Sequence, residues 1–71
     1  MATDVRAPMQ GKVIELLLTP GDGVEEDEPV LLLEALKMKI TVAAPGDGVL
    51  REYYVKADDE VEADALLAVI D

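Results

Sequence analysis

The sequence predicts an all-β fold in which two small antiparallel sheets pack face to face. Three observations lead there. The apolar runs are short and are cut by Pro-, Gly- and Asp-containing turn signals such as Thr19-Pro20-Gly21-Asp22-Gly23, the pattern of strands joined by tight turns. The second half of the chain repeats the first at an offset of 37 positions without a gap: Ala7 and Pro8 recur as Ala44 and Pro45, Gly11 as Gly48, Glu15 as Glu52, Asp22 as Asp59, Val24 as Val61, Glu25 as Glu62 and Asp27 as Asp64. Finally, 71 residues without cysteine make one domain near the lower limit for a single core. A half that cannot bury its apolar face alone does so against its twin, under a quasi-two-fold relation.

Taken in order, Met1 to Asp4 read as a short lead-in, and Pro8 and Gly11 bracket a tight turn. Lys12 to Leu18 is a strand with Val13, Leu16 and Leu18 inward. The three-residue step from Val13 to Leu16 breaks alternation and predicts a bulge or sharp bend. After the Thr19–Gly23 turn, Glu25-Glu26-Asp27-Glu28-Pro29 lacks the Asp-x-Asp-x-Asp-Gly spacing of a calcium loop and reads as a solvated turn. Val30 to Leu33 is an apolar run too short for a helix, hence a buried strand. Met38 to Ala43 returns, with Met38, Ile40 and Val42 on the inward face and Lys39, Thr41 and Ala43 on the other. In the second half Leu50, Tyr53, Val55 and Ile70 superpose on Val13, Leu16, Leu18 and Leu33. Asp58 replaces Gly21 in the second turn, tolerable at modest cost for aspartate, so that turn is expected to be the looser one.

Composition narrows the function. With neither histidine nor cysteine, the chain lacks the commonest general base, thiolate nucleophile and soft metal ligands. At this size it also lacks room for a developed catalytic cleft. Six basic against sixteen acidic residues give a formal net charge of −10, which argues against nucleic acid or an anionic membrane as partner and favours basic docking surfaces. Met1 to Arg6 lack the apolar core of a signal peptide, and no apolar run approaches spanning length. A soluble cytoplasmic domain is the expectation.

At the midpoint stands Glu34-Ala35-Leu36-Lys37-Met38-Lys39-Ile40, a cation between two apolar side chains. If this stretch is extended, alternation turns Lys37 outward with Leu36 and Met38 flanking it. The strands on either side place the lysine at the tip of a hairpin, and the quasi-two-fold relation puts it at the pole opposite the chain ends.

Glu34-Ala35-Leu36-Lys37-Met38 resembles the Glu-Ala-Met-Lys-Met attachment motif of biotin carboxyl carrier domains, with Leu36 in place of methionine. Ala7-Pro8-x-x-Gly11-x-Val13, its partial echo Ala44-Pro45-x-x-Gly48, and Gly21-Asp22-Gly23-Val24 match further patterns of the biotinyl/lipoyl domain family at the usual distances from the lysine. The likeness runs from about Val5 to Asp71. It implies a flattened barrel of two four-stranded antiparallel sheets, a barrel-sandwich hybrid, in its minimal form without the protruding loop of some bacterial carriers. The expected organisation is a single domain over 1–71, with repeats over 7–34 and 44–71 and an attachment hairpin over 34–41.

The resemblance also implies a chemistry. A biotin protein ligase would activate biotin as its adenylate, and the Lys37 amine would attack to form an amide. The amine must first lose a proton, and no residue of the chain is an evident base, so the ligase supplies that environment. Leu36 and Met38 would form the platform at the base of the arm, and Glu34 and Ala35 belong to the motif that the ligase recognises. The ureido ring would then accept carboxylate at a biotin carboxylase site and deliver it at a carboxyltransferase site, the domain itself catalysing nothing. Lipoyl domains of 2-oxo acid dehydrogenases share the fold but usually set Asp before the lysine and Ala after it, so the apolar flanks favour biotin. An unmodified structural module is the third reading.

Overall fold

The computed structural model describes residues 2–71, so of the expected lead-in Met1 lies outside the described residues. Eight strands follow one another: β1 (Thr3–Arg6), β2 (Gly11–Leu16), β3 (Gly23–Val24), β4 (Pro29–Ala35), β5 (Met38–Ala43), β6 (Gly48–Tyr53), β7 (Glu60–Val61) and β8 (Leu66–Ile70). They form two four-stranded sheets in the orders β1-β8-β6-β3 and β5-β4-β2-β7. Every pairing is antiparallel. Shifting the strand number by four turns one sheet into the other, which is the quasi-two-fold relation expected from the sequence.

Part of the lead-in is corrected. Thr3 and Asp4 belong to β1, paired with Ile70 and Val69. Only Val5 of this strand is buried, so its sequence carries almost no apolar signal. The ladder offered by β8 makes it a strand. The strand expected over Lys12–Leu18 runs from Gly11 to Leu16. Its register shifts between Val13 and Glu15, and the register of β6 shifts between the equivalent Leu50 and Glu52. The bulge therefore occurs in both halves, and it lets Val13 and Leu16, or Leu50 and Tyr53, face the core despite their odd spacing.

The fully buried core between the sheets is built from apolar side chains. Leu31, Leu33, Leu50, Leu67, Ile70, Val13 and Val30 are the largest fully buried residues, and no polar or charged residue among those described is buried. Burial of each of these side chains is worth about 1.5–3 kcal/mol. Met38 departs from the alternation of its strand and agrees with the platform expected beside Lys37. It opposes Ala35 in the ladder, so it continues the inward column of Val42 and Ile40, yet it is 65% exposed. The column runs past the end of the core, and its last side chain has nothing above it.

Turn chemistry is shared between the halves. The Thr19 N–H donates to Asp22 Oδ2 at 2.9 Å, and the Lys56 N–H donates to Asp59 Oδ2 at 3.0 Å. Asp58 adopts a φ of 77° where Gly21 has 102°, so the second turn keeps its form with aspartate in the left-handed region. In the acidic turn the Glu25 N–H donates to Glu28 Oε1 at 3.0 Å and the Glu26 N–H to Asp47 Oδ1 at 2.8 Å. Two of those carboxylates thus close loops that would otherwise leave backbone donors to water.

One clasp has no counterpart in the other half, where Leu16 occupies the equivalent position. The Tyr53 hydroxyl, at the end of β6, donates to the Val30 carbonyl at 2.7 Å and accepts the Leu18 N–H at 3.1 Å, tying one sheet to the other. Desolvation raises the phenol above its ordinary value of 10.0, opposed by the hydrogen bond from the Leu18 backbone. A raised native value means that the clasp contributes fully below pH 10 and is lost as pH rises through the native titration. Tyr53→Phe is expected to cost about 1 kcal/mol at neutral pH, because the Leu18 N–H loses its partner. Urea unfolding between pH 8 and 11.5 should show the gap between the two proteins closing above pH 10.

The ladder also sets the poles. Gly11, at the start of β2, lies against Glu34 and Ala35, whereas Gly48 lies against Ile70 and Asp71. From Gly11 the chain runs along β2 and turns into β3, whose Gly23 and Val24 pair with Val49 and Gly48. The β4–β5 turn and Asp71 therefore sit at opposite ends of a body measuring 32 × 18 × 17 Å.

Candidate functional site: the β4–β5 turn

Strands β4 and β5 make the most extensive pairing in the molecule, with Leu33 opposite Ile40, Glu34 opposite Lys39 and Ala35 opposite Met38. Leu31, Leu33 and Ala35 anchor the inner face of β4 in the core, so the hairpin is held rigidly almost to its tip. Only two residues, Leu36 and Lys37, connect the strands, and both have positive φ, 52° and 63°. That is the φ pattern of the tight type I′ hairpin turn, which follows the right-handed twist of the strands. Asn and Gly usually fill these positions; a side chain with Cβ there costs about 1–2 kcal/mol. The extended geometry expected for Leu36 to Met38 is thus corrected. The lysine lies in the bend itself, because closing a two-residue hairpin requires left-handed backbone at both positions.

Each expected site residue has a definite place. Lys37 is exposed at the apex, and among the described residues it takes part in no ion pair. Leu36 before it is 83% exposed and Met38 after it is exposed, so two apolar side chains border the amine's base with no protein covering them. Ala35 is buried beneath them, while Glu34 is exposed. The structure brings all five residues to one end of the barrel.

Sequence reading missed what stands beside them. A cleft of about 660 Å³ opens next to the turn, walled by Met9, Gln10, Glu34, Leu36, Glu60 and Glu62. Its far wall comes from β7 and the residue after it, which reach the hairpin because Gly11 and Lys12 of β2 pair with Val61 and Glu60. Gly11 makes the near wall possible, since a Cβ there would meet the Glu34 carbonyl oxygen at 2.5 Å. The repeat offers a signal for this arrangement: Val24 pairs with Gly48 in one half as Val61 pairs with Gly11 in the other.

The fold and the turn together make a barrel sandwich that offers one lysine on a strained two-residue turn, at the end remote from Asp71. The family described as "Biotin-requiring enzyme" matches residues 3–70, and the chain belongs to this biotinyl/lipoyl family. It is 37% identical over 70 residues to the biotinylated protein TB7.3 homolog of Mycobacterium leprae, covering 99% of both chains. It is 37% identical over 67 residues to mitochondrial pyruvate carboxylase of Mus musculus, covering 94% of this chain and 6% of that protein. The chain thus spans nearly all of one relative and a small segment of the other. Among solved structures, the Kluyveromyces lactis urea carboxylase superposes with a TM-score of 0.96 at 31% identity, over 100% of this chain and 6% of that one. The lipoyl domain of the 2-oxoglutarate dehydrogenase complex from Azotobacter vinelandii superposes with a TM-score of 0.79 at 30% identity, over 96% of this chain and 94% of that one.

Proposed function

We propose that the chain is a biotin carboxyl carrier domain, with biotin in amide linkage to Lys37. The observation that carries this reading is the exposed Lys37 at the hairpin apex between the exposed apolar side chains of Leu36 and Met38. The site fits the group on chemical grounds. An exposed amine outside any ion pair is open to acylation, and the apolar flanks suit the neutral, hydrophobic arm that the amide creates. When bound, biotin supplies a ureido ring that takes up carboxylate at one site and gives it up at another.

The chain's own residues position and present. The β4–β5 ladder holds the turn, the left-handed backbone at Leu36 and Lys37 projects the lysine from the end of the barrel, and Leu36 and Met38 seat the base of the arm. Glu34 and Ala35 complete the motif read by a biotin protein ligase, which also provides the base for the amine. Biotin carboxylase and carboxyltransferase domains or subunits are the partners in turnover, and the chain is a non-catalytic carrier between them. A tether turns each encounter into an effectively intramolecular event. Residues 1–71 act as one carrier unit, built from the repeats 7–34 and 44–71 with the attachment hairpin at 34–41. No helix among the described residues is long and apolar enough to cross a membrane. The acidic surface matches basic docking faces rather than nucleic acid or anionic lipid, and the cytoplasm is the compartment this reading implies.

A lipoyl carrier is the second reading, favoured by the likeness to the Azotobacter vinelandii lipoyl domain. Parallel incubation with biotin ligase plus biotin and with lipoate ligase plus lipoate separates the two by intact mass. One biotinoyl increment and no lipoyl increment is expected. A lipoyl increment alone would transfer the chain to the second reading, and no increment with competent ligases would leave the structural module.

A further inference from the structure

We propose that Met38 is an oxidation site, and that conversion of its thioether to the sulfoxide slows acylation of Lys37. The inference rests on the reading of Lys37 as the acylated residue and adds a control to it. Of the three methionines in the sequence, Met1 lies outside the described residues and Met9 is half-buried in the cleft wall. Met38 is 65% exposed and directly follows the lysine. Oxidation of methionine follows access to the sulfur, and position decides what oxidation then does.

Two geometric facts give Met38 its leverage. It opposes Ala35 at the first rung of the β5 ladder, so its side chain ends the inward column of Val42 and Ile40 and lies over the small, buried Ala35. It is also one of only two apolar side chains bordering the lysine in the turn, and the other, Leu36, cannot be oxidised. One flank is therefore fixed in its chemistry and the other is open to change. A partner that encloses the lysine must cover both.

The step itself is a two-electron transfer from sulfur to a hydroperoxide. A sulfur lone pair attacks the distal peroxide oxygen, the O–O bond breaks as the S–O bond forms, and the departing oxygen leaves as water or an alcohol after taking up the proton. The product is a polar, chiral group in place of a flexible apolar one. Closing a partner over that oxygen strips it of water without a matching donor, which opposes docking. The fold itself is spared, because the altered group lies outside the buried core.

The test compares loading rates before and after peroxide. The unmodified chain is treated with dilute hydrogen peroxide, and peptide mass mapping follows one added oxygen at Met38 and at Met9. Biotinoyl transfer is then timed with biotin ligase over a range of chain concentrations. Met38 is expected to oxidise ahead of Met9. The oxidised chain should load about tenfold more slowly at low chain concentration, the cost of one polar group buried unpaired, with the loss in KM rather than kcat. Methionine sulfoxide reductase should restore the rate. Met38→Leu, compared only with itself, should load at the same rate with and without peroxide. Equal rates for oxidised and untreated chain would overturn the proposal, as would a peroxide effect that persists in Met38→Leu or a Met38 that resists oxidation. Absence of any increment on the untreated chain would instead overturn the carrier reading beneath it.

Discussion

Lys37→Ala is expected to receive no biotin from a competent ligase, whereas Lys39→Ala still receives a single increment, read by intact mass. The two lysines are two positions apart and both exposed, so exposure does not separate them. Backbone geometry does. Lys37 occupies the second position of the two-residue turn with a φ of 63°, where the chain reverses and neither strand extends beyond it. Lys39 lies one rung down β5, opposite Glu34 across the ladder. A ligase that must enclose an amine to remove its proton can surround an apex, but around Lys39 it meets the sheet. Lys37→Arg should be as inert as Lys37→Ala although it keeps the charge, since a guanidinium does not lose its proton in proteins. Loading of Lys37→Ala at any other lysine would show that the turn does not select the site.

Which parts of this arrangement were visible in the sequence follows from what each part depends on. The 37-residue repeat and the broken alternation of Val13 and Leu16 were enough for two related sheets and a bulge, because both leave a pattern of apolar residues. The Val30–Leu33 run was enough for a buried strand for the same reason. β1 was not visible, since Thr3, Asp4 and Arg6 are polar and become strand residues only through the β8 edge. Met38 stands on the inward face of its strand and was also expected in the platform beside Lys37, and its exposure agrees with the platform. Its exposure follows from the height of the opposite sheet, which a single strand does not encode. The left-handed turn was masked by its own residues, because Leu and Lys are poor signals for positive φ and the strain is set by the hairpin around them. Tyr53 superposed on Leu16 as an inward apolar position, and its hydroxyl clasp depends on where Val30 of the other sheet and Leu18, just beyond the end of β2, lie. The cleft beside Lys37 needs β7 from the second half of the chain, brought there by the pairing of Gly11 with Val61.

Gly11→Ala and Gly48→Ala are expected to destabilise the fold to similar extents, while only Gly11→Ala slows loading of Lys37. The two glycines are equivalent in the repeat and do the same structural work. At Gly48 a Cβ would collide with the Asp71 carbonyl oxygen and with Ile70 Cγ2. That backbone cannot retreat freely, because Val49 and Asp71 exchange hydrogen bonds of 2.9 and 2.8 Å. At Gly11 the obstacle is the Glu34 carbonyl oxygen, with Leu33 and Ala35 close behind. Forcing a methyl group into such contacts costs about 1–3 kcal/mol. At this chain length that lowers the melting temperature by about 4–8 °C per kcal/mol. Gly46→Ala is the control, as nothing lies within 4 Å of a Cβ there, and it should change stability by less than about 0.5 kcal/mol. Function separates the pair because the displaced backbone differs. Relief at Gly11 pushes on Glu34 and Ala35, the last residues of β4 before the turn, and so shifts the lysine against its flanks. Relief at Gly48 moves Ile70 and Asp71 at the other end of the barrel and leaves the hairpin in place. Thermal unfolding and ligase kinetics on the same three variants decide the matter. Equal loading by Gly11→Ala and Gly48→Ala, at equal loss of stability, would mean that the position of the turn does not limit acylation.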